Sequence, residues 1–210
     1  CAFRDGHHVS VAPADDARRT IYGTRDNIFP RIVISAGYNG SPFRAHMGYY
    51  RDLCDNLSIL RTVKGTSVTI RHTKSLRDKM DDLLYLFTGL REGWTSLGQT
   101  IEHLDSQTVN LREFLLDIYG TPKENSKSSE TIHLKRIESI FRRVSRERLQ
   151  SGREPMKHFE VSAWEAYNAV QGYAQHDTPR RGRTKSNFER AILATSDRYV
   201  KAAESLAMSA

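Results

Sequence analysis

The sequence predicts an α+β protein: a small antiparallel β-sheet built from hairpins, crossed by a long amphipathic helix and followed by a helical C-terminal part. Three observations carry this. Asn39-Gly40 lies between two β-prone runs, RIVISAGY and SPFRAHMGYY, and Asn-Gly supplies the two positive φ angles of a type I′ turn. From Ser75 the apolar period changes from two to that of a helix and holds to Leu104. Beyond Gly120 further amphipathic segments alternate with polar loops. The expected division is an α+β core over residues 1–120 and a helical part over 121–210 packed on it as one compact domain.

In order along the chain, HHVSVA alternates weakly as a strand, and ADDARRTIYG suits a short helix stopped by Gly23. In the hairpin, a two-residue Asn39-Gly40 loop pairs Tyr38 with Ser41. Counting outward sets Ala36 against Phe43, Ile34 against Ala45 and Ile32 against Met47 on an apolar face. The other face carries Arg31, Ser35, Arg44, His46 and Tyr50, with Val33 the apolar exception. Pro42 cannot donate to a ladder and points to a longer loop or an edge there. LSILRTV and SVTIRHT read as a further strand pair around Lys64-Gly65-Thr66.

Ser75 and Asp78 form a near capping box, and one helix is expected over about 75–104. Its stripe runs Leu76, Met80, Leu83, Phe87, Leu90, Trp94, Leu97, Ile101, Leu104. Gly89, Gly93 and Gly98 each cost roughly 1 kcal/mol against Ala, which implies close approach by another element. Residues 110–119 make a short helix ended by Gly120, and TPKENSKSSE a polar loop. The helix expected over 131–149 places Leu134, Ile137, Phe141, Val144 and Leu149 inside. Its other side carries Lys135, Arg136, Arg142, Arg143, Arg146 and Arg148, a phosphate-tracking face. VSAWEAYNAVQGY gives a helix with Trp164, Tyr167, Val170 and Tyr173 on its buried side. The loop AQHDTPRRGRTKSN leads to a last helix over 186–208.

The net charge of +7 and pI near 9.5 favour an anionic partner, with nucleic acid the commonest. No apolar run reaches the length of a membrane span, so no membrane partner is expected. Two cysteines, Cys1 and Cys54, make no disulfide framework, and a reducing cytoplasm is the default location. A chain opening on Cys1 suggests part of a longer product. His7-His8 and the acids Asp78, Asp81 and Asp82 have plainer readings than metal binding: polar residues, and carboxylates favouring a helix macrodipole. No glycine-lysine phosphate loop, dinucleotide fingerprint, zinc-spaced Cys/His set or nucleophile elbow is present. Binding therefore outweighs catalysis, with no catalytic residues, cofactor or metal expected.

The expected partner is single-stranded nucleic acid, DNA favoured over RNA. Arg31, Arg44, Arg51, Arg71, Lys74 and Arg77 would neutralise phosphates, and Tyr50 and His46 would stack. Arg180, Arg181, Arg183 and Lys185 would close over the strand from the basic loop. The competing expectation is a protein-interaction module, such as an inhibitor of host defence or a regulator.

The segment VSAWEAYNAVQGYAQHDTPRRGRTKSNFERAI resembles the closing motif of phage/plasmid-like proteins of unknown function: an aromatic-rich helix, a His/Pro/Arg loop and a final helix. SPFRAHMGYYRDLCDNLSIL resembles an earlier motif of the same family, with Asn56-Leu57 where that family usually has Asn-Gly. The resemblance implies a mobile-element protein in the cytoplasm of a bacterial host cell and brings no established catalytic residues. At the level of fold, a curved hairpin sheet crossed by a long helix is similar to single-strand annealing proteins of the RecT, Redβ and Erf kind. That similarity implies a homo-oligomer, ring or filament, and the missing phosphate loop agrees with an ATP-independent action.

Overall fold

A computed structural model of the chain describes residues 2–3, 6–11, 18–21, 23–36, 43–54, 56–58, 67–70, 81, 90–121, 127–178 and 197–210. At 2–11, 32–36, 44, 46–47, 56–58, 67–68, 90–92 and 127–131 the description is of backbone alone. The chain divides into two compact units. The first comprises Cys1–Thr20, Asn27–Arg51 and Leu57–Thr100; the second comprises Ile21–Asp26, Asp52–Asn56 and Ile101–Ala210.

The first unit holds the sheet. Its strands are β1 (Ala2–Phe3), β2 (Gly6–Val11), β3 (Arg19–Thr20), β4 (Asn27–Ala36), β5 (Phe43–Arg51), β6 (Asn56–Ser58) and β7 (Ser67–Ile70). They run in the order β1-β2-β4-β5-β6, with β3 also on β4 and β7 also on β5. The β4–β5 register sets Ile32 opposite Met47, Val33 opposite His46, Ile34 opposite Ala45 and Ser35 opposite Arg44. This is the register that the Asn39-Gly40 turn requires, although residues 37–42, Pro42 among them, lie outside the described residues. Pro30, opposite Tyr49 of β5, falls between the β4 positions paired with β3 and those paired with β2.

Period two sorts the faces. Ile28, Ala45, Tyr49 and Ile70 are buried on one side. Phe29, Arg31 and Tyr50 on the other are half-buried and Thr69 is exposed. One expectation changes here. Within ADDARRTIYG, Arg19–Thr20 is strand and not helix, because it pairs with Ile28 and Asn27 of β4. Of the expected SVTIRHT strand, Ser67–Ile70 is described and pairs with β5 through Phe43–His46, while residues 59–66, on which its pairing with LSILRTV turns, lie outside the described residues.

Helix α1 (Leu90–Ser106) is the described end of the long expected helix; Asp81 is also helical, and residues 71–80 and 82–89 lie outside the described residues. Gly98 has the close neighbour its cost implied. A Cβ there would collide with the Arg19 guanidinium, which lies 5.4 Å from the Trp94 ring centroid.

The second unit is mainly helical: α2 (Leu111–Tyr119), α3 (Lys127–Gln150), α4 (Ala163–Gly172) and α5 (Arg198–Ala207), with a two-stranded β8 (Thr108–Asn110) and β9 (Glu160–Ser162). Asn110 caps α2 by accepting from the N–H groups of Arg112 and Glu113 at 3.0 and 3.2 Å. Gly120, at φ +73°, ends it. Ser162 and Glu165 make a full capping box on α4, and every residue of α4 is buried. Trp164 donates its indole N–H to Asp26 at 3.3 Å. Tyr173–Asp177 continues α4 as a π-helical turn.

Helix α3 departs in part from the expected inside and outside: Val144 is buried and Lys135, Arg142 and Arg146 are exposed as expected, but other positions differ. It starts at Lys127, so the end of TPKENSKSSE is helix; a polar first turn has the composition of a loop. Its buried stripe is His133, Ile140, Arg143, Val144 and Glu147, whereas Leu134 and Leu149 are 56% and 64% exposed. The difference has a physical cause. Buried ion pairs make a packed face look hydrophilic, and Leu134 and Leu149 stand on the solvent side.

Candidate nucleic-acid interface

The polar face of the sheet brings together three half-buried side chains. The register places Phe29 opposite Tyr50 and Arg31 opposite Gly48. The Phe29 and Tyr50 ring centroids are 6.5 Å apart, tilted by 45°. The Arg31 guanidinium lies 5.8 Å from the Phe29 centroid and 5.4 Å from that of Tyr50, and donates to the Pro30 carbonyl at 3.1 Å. Gly48, opposite Arg31, carries no side chain to cover the guanidinium. The next register rows on this face hold Val33 with His46, and Ser35 with Arg44. β2 and β7 extend those rows with Ser10 and Ser67, and with His8 and Thr69. The face thus combines cations, small hydroxyl residues and two aromatic rings.

Of the expected binding residues, Arg31, Arg44, His46 and Tyr50 share this face. Arg51 does not. It sits opposite Ile28 on the apolar side and is 2% exposed, because an odd position of β5 faces inward. Arg71, Lys74, Arg77, Arg180, Arg181, Arg183 and Lys185 lie outside the described residues. Phe29 joins the site from outside the expected set. The signal for it is the same register count, carried on toward the start of β4, which sets it beside Tyr50.

The phosphate-tracking face expected on α3 is dismantled by pairing. Arg143, 6% exposed, donates from Nε and Nη2 to Asp177 Oδ2 at 3.1 and 2.9 Å and from Nη1 to Glu147 at 3.3 Å. Arg148 donates to Glu165 Oε2 at 2.6 Å and to the Glu154 carbonyl at 2.9 Å. Arg136 lies 4.7 and 5.2 Å from the ring centroids of Tyr119 and Tyr199. Burial raises the Tyr119 hydroxyl well above its ordinary pKa, outweighing the lowering effect of Arg136. Burial, then Arg136, lowers that of His133. Lys135, Arg142 and Arg146 remain exposed, with Arg142 bound to Glu138.

A cleft of about 310 Å³ in the same unit is lined by Asp105, Arg148, Arg153, Lys157, Ser162 and Glu165 among others. Four of its charged groups pair within it, Arg148 with Glu165 and Arg153 with both Asp105 and Glu165. Arg153 Nη2 donates to both Asp105 oxygens at 2.7 and 2.8 Å, and Ser162 Oγ donates to Asp105 at 2.9 Å. Asp177, which follows His176 in the chain, accepts from Arg143. His7 and His8 occupy consecutive positions of β2, which belong to opposite faces of the sheet. Cys54 is half-buried in the turn after β5. No helix among the described residues is long and apolar enough to cross a membrane.

The profile of one protein family, described as a domain of unknown function (DUF932), matches residues 7–194. No curated protein and no solved structure matches the chain.

Proposed function

The chain belongs to this family of unknown function, and we propose from its own residues that it binds single-stranded nucleic acid, DNA foremost, and anneals strands without ATP as an oligomer. One observation carries the reading: Arg31 set against Phe29 and Tyr50 on the sheet face that also holds Arg44 and His46 by register. Every base has a π-face, so stacking on such rings tolerates any sequence, while cations beside them follow the backbone. The net charge of +7 adds long-range attraction. The two motifs resembling phage and plasmid proteins support a mobile-element origin, where strand annealing serves recombination.

The test is a titration of a fluorescent single-stranded oligonucleotide at two salt concentrations. Wild-type protein should bind without sequence preference and weaken steeply with salt. Tyr50→Ala should cost about 1–3 kcal/mol of affinity. Arg31→Ala should lower the salt slope by about 0.7, the share of one phosphate on a single strand. Absence of binding at low salt, or identical binding by both variants, would overturn the reading in favour of a protein partner.

A further inference from the structure

In the helical unit Arg142, Arg143, Arg148 and Arg153 each hold a carboxylate. Arg136 and Arg198 hold none among the described residues; they meet tyrosine rings instead. Arg136, half-buried on α3, lies 4.7 Å from the ring centroid of Tyr119 at the end of α2 and 5.2 Å from that of Tyr199 in the first turn of α5. The exposed Arg198 lies 4.5 Å from the same Tyr199 centroid. The two rings are 4.7 Å apart, tilted by 45°. Three helices thus gather two guanidiniums and two phenols into one cluster.

The hydrogen-bonding capacity of this cluster is one-sided. A guanidinium only donates. Arg198 Nη2 donates to the Tyr199 hydroxyl at 2.5 Å, which uses that oxygen as an acceptor and leaves its proton to be given away. Burial holds the Tyr119 hydroxyl protonated through the ordinary pH range, so it too remains a donor. Among the described residues, none accepts from the side chain of Arg136, Tyr119 or Tyr199. The carboxylate at hand is Asp197, and its Oδ1 already takes the N–H groups of Tyr199 and Val200 as the cap of α5. Cation–π contact accounts for where the guanidiniums sit but supplies no acceptor for their N–H groups. Stacked guanidiniums keep those N–H edges free, in the geometry that meets an oxyanion.

We infer that Arg136, Arg198, Tyr119 and Tyr199 form an oxyanion site whose ligand is a phosphoryl group, carried by a free phosphate or by a phosphodiester backbone. Four donor side chains from three helices outnumber the two oxygens of a carboxylate and suit the tetrahedral oxygens of a phosphate. The site differs from the arginine face expected along α3, because α2 and α5 supply three of its four side chains. It lies in the second unit and does not depend on the sheet site proposed above.

Isothermal titration of the full chain with inorganic phosphate, and separately with an oligodeoxythymidylate, tests it. Wild-type protein should bind at least one of the two through the cluster. Arg198→Gln, at an exposed position, should weaken that binding at least about tenfold with unchanged circular dichroism. Tyr199→Phe removes one donor and no charge, and should weaken it about threefold or more. Arg146→Gln removes an exposed charge of α3 outside the cluster and should change it by less than about twofold. Binding of inorganic phosphate identifies a free phosphoryl ligand, and weakening confined to the oligonucleotide identifies a strand backbone. Binding of neither probe, equal responses to Arg198→Gln and Arg146→Gln, or wild-type binding by Tyr199→Phe would overturn the site. Oligonucleotide binding that weakens in Tyr50→Ala and not in Tyr199→Phe, with no phosphate bound, would overturn this site alone. The reverse pattern would overturn the sheet reading alone.

Discussion

The two units use arginine in opposite ways. On the sheet, Arg31 is half-buried over two aromatic rings, and its alternation with apolar residues reports its face directly. On α3, Arg143 is enclosed between Glu147 and Asp177, and the pattern around it misreports its face. A strand has two faces and a fixed period, so one register settles every residue at once. A helix covered on several sides has no single apolar stripe, and a paired ion can occupy a core position. Parity along a strand therefore reports a residue's face on the sheet, even for the buried Arg51, whereas neither period nor charge does so for Arg143 in the helical unit.

Substituting the two arginines should separate these roles most widely. Arg143→Ala removes the guanidinium from Glu147, itself 4% exposed, and from Asp177. Breaking a buried pair from one side costs roughly 3–5 kcal/mol. Arg31→Ala should change stability by less than about 1 kcal/mol while changing the salt slope of binding. Each unit has its own tryptophan, Trp94 in the first and Trp164 in the second. Urea unfolding in Trp94→Phe and Trp164→Phe backgrounds assigns each loss to its unit. Equal losses from the two arginines would erase the contrast.

The legible parts of the molecule are those governed by local rules. The hairpin register follows from one Asn-Gly pair, and the bounds of α2 follow from Asn110 and Gly120. The capping box on α4 is equally local, since Ser162 and Glu165 stand three apart. The illegible parts are those settled by distant partners. Arg143 meets Asp177 at a separation of 34 residues, and Arg153 meets Asp105 at a separation of 48. Arg19–Thr20 reads as helix until β4 is there to pair with it. Part of the candidate interface is visible in the sequence because Arg31, Arg44, His46 and Tyr50 obey the register. Arg51 reads as a surface cation only when its charge is weighed above its parity in the strand.

Gly172→Ala sharpens the comparison next. A Cβ at Gly172 would lie 2.9 Å from Arg143 Nη1 and 3.0 Å from its Cδ. That guanidinium is held by two carboxylates and cannot retreat, so the substitution should cost roughly 1–3 kcal/mol as overpacking, read by Trp164 unfolding. A neutral result would mean that the ion cluster is loose.

His133 extends the contrast to pH. Burial, then Arg136, lowers its folded-state pKa below the ordinary value near 6.5. The unfolded chain therefore takes up this proton first as pH falls. The contribution is fully present above about 6.5 and is lost as pH drops from there toward the lower folded value. His133→Gln should flatten the acid side of the stability curve of the second unit and leave that of the first unchanged. An unaltered pH profile would show that His133 is not the group responsible.

Gly98→Ala should have the smallest effect. The added Cβ displaces the Arg19 guanidinium, but this is the far end of a flexible side chain. Losing its contact with Trp94 costs about 0.5–1 kcal/mol, and replacing glycine within a helix returns about as much. Stability of the first unit should stay within about 0.5 kcal/mol of wild type, while Trp94 fluorescence changes as the cation leaves its ring. The same Gly→Ala change is thus expected to be costly beside the clamped Arg143 and nearly silent beside the yielding end of Arg19. A large loss at Gly98 would show that Arg19 is held as firmly as Arg143, and that the units do not differ in how they use arginine.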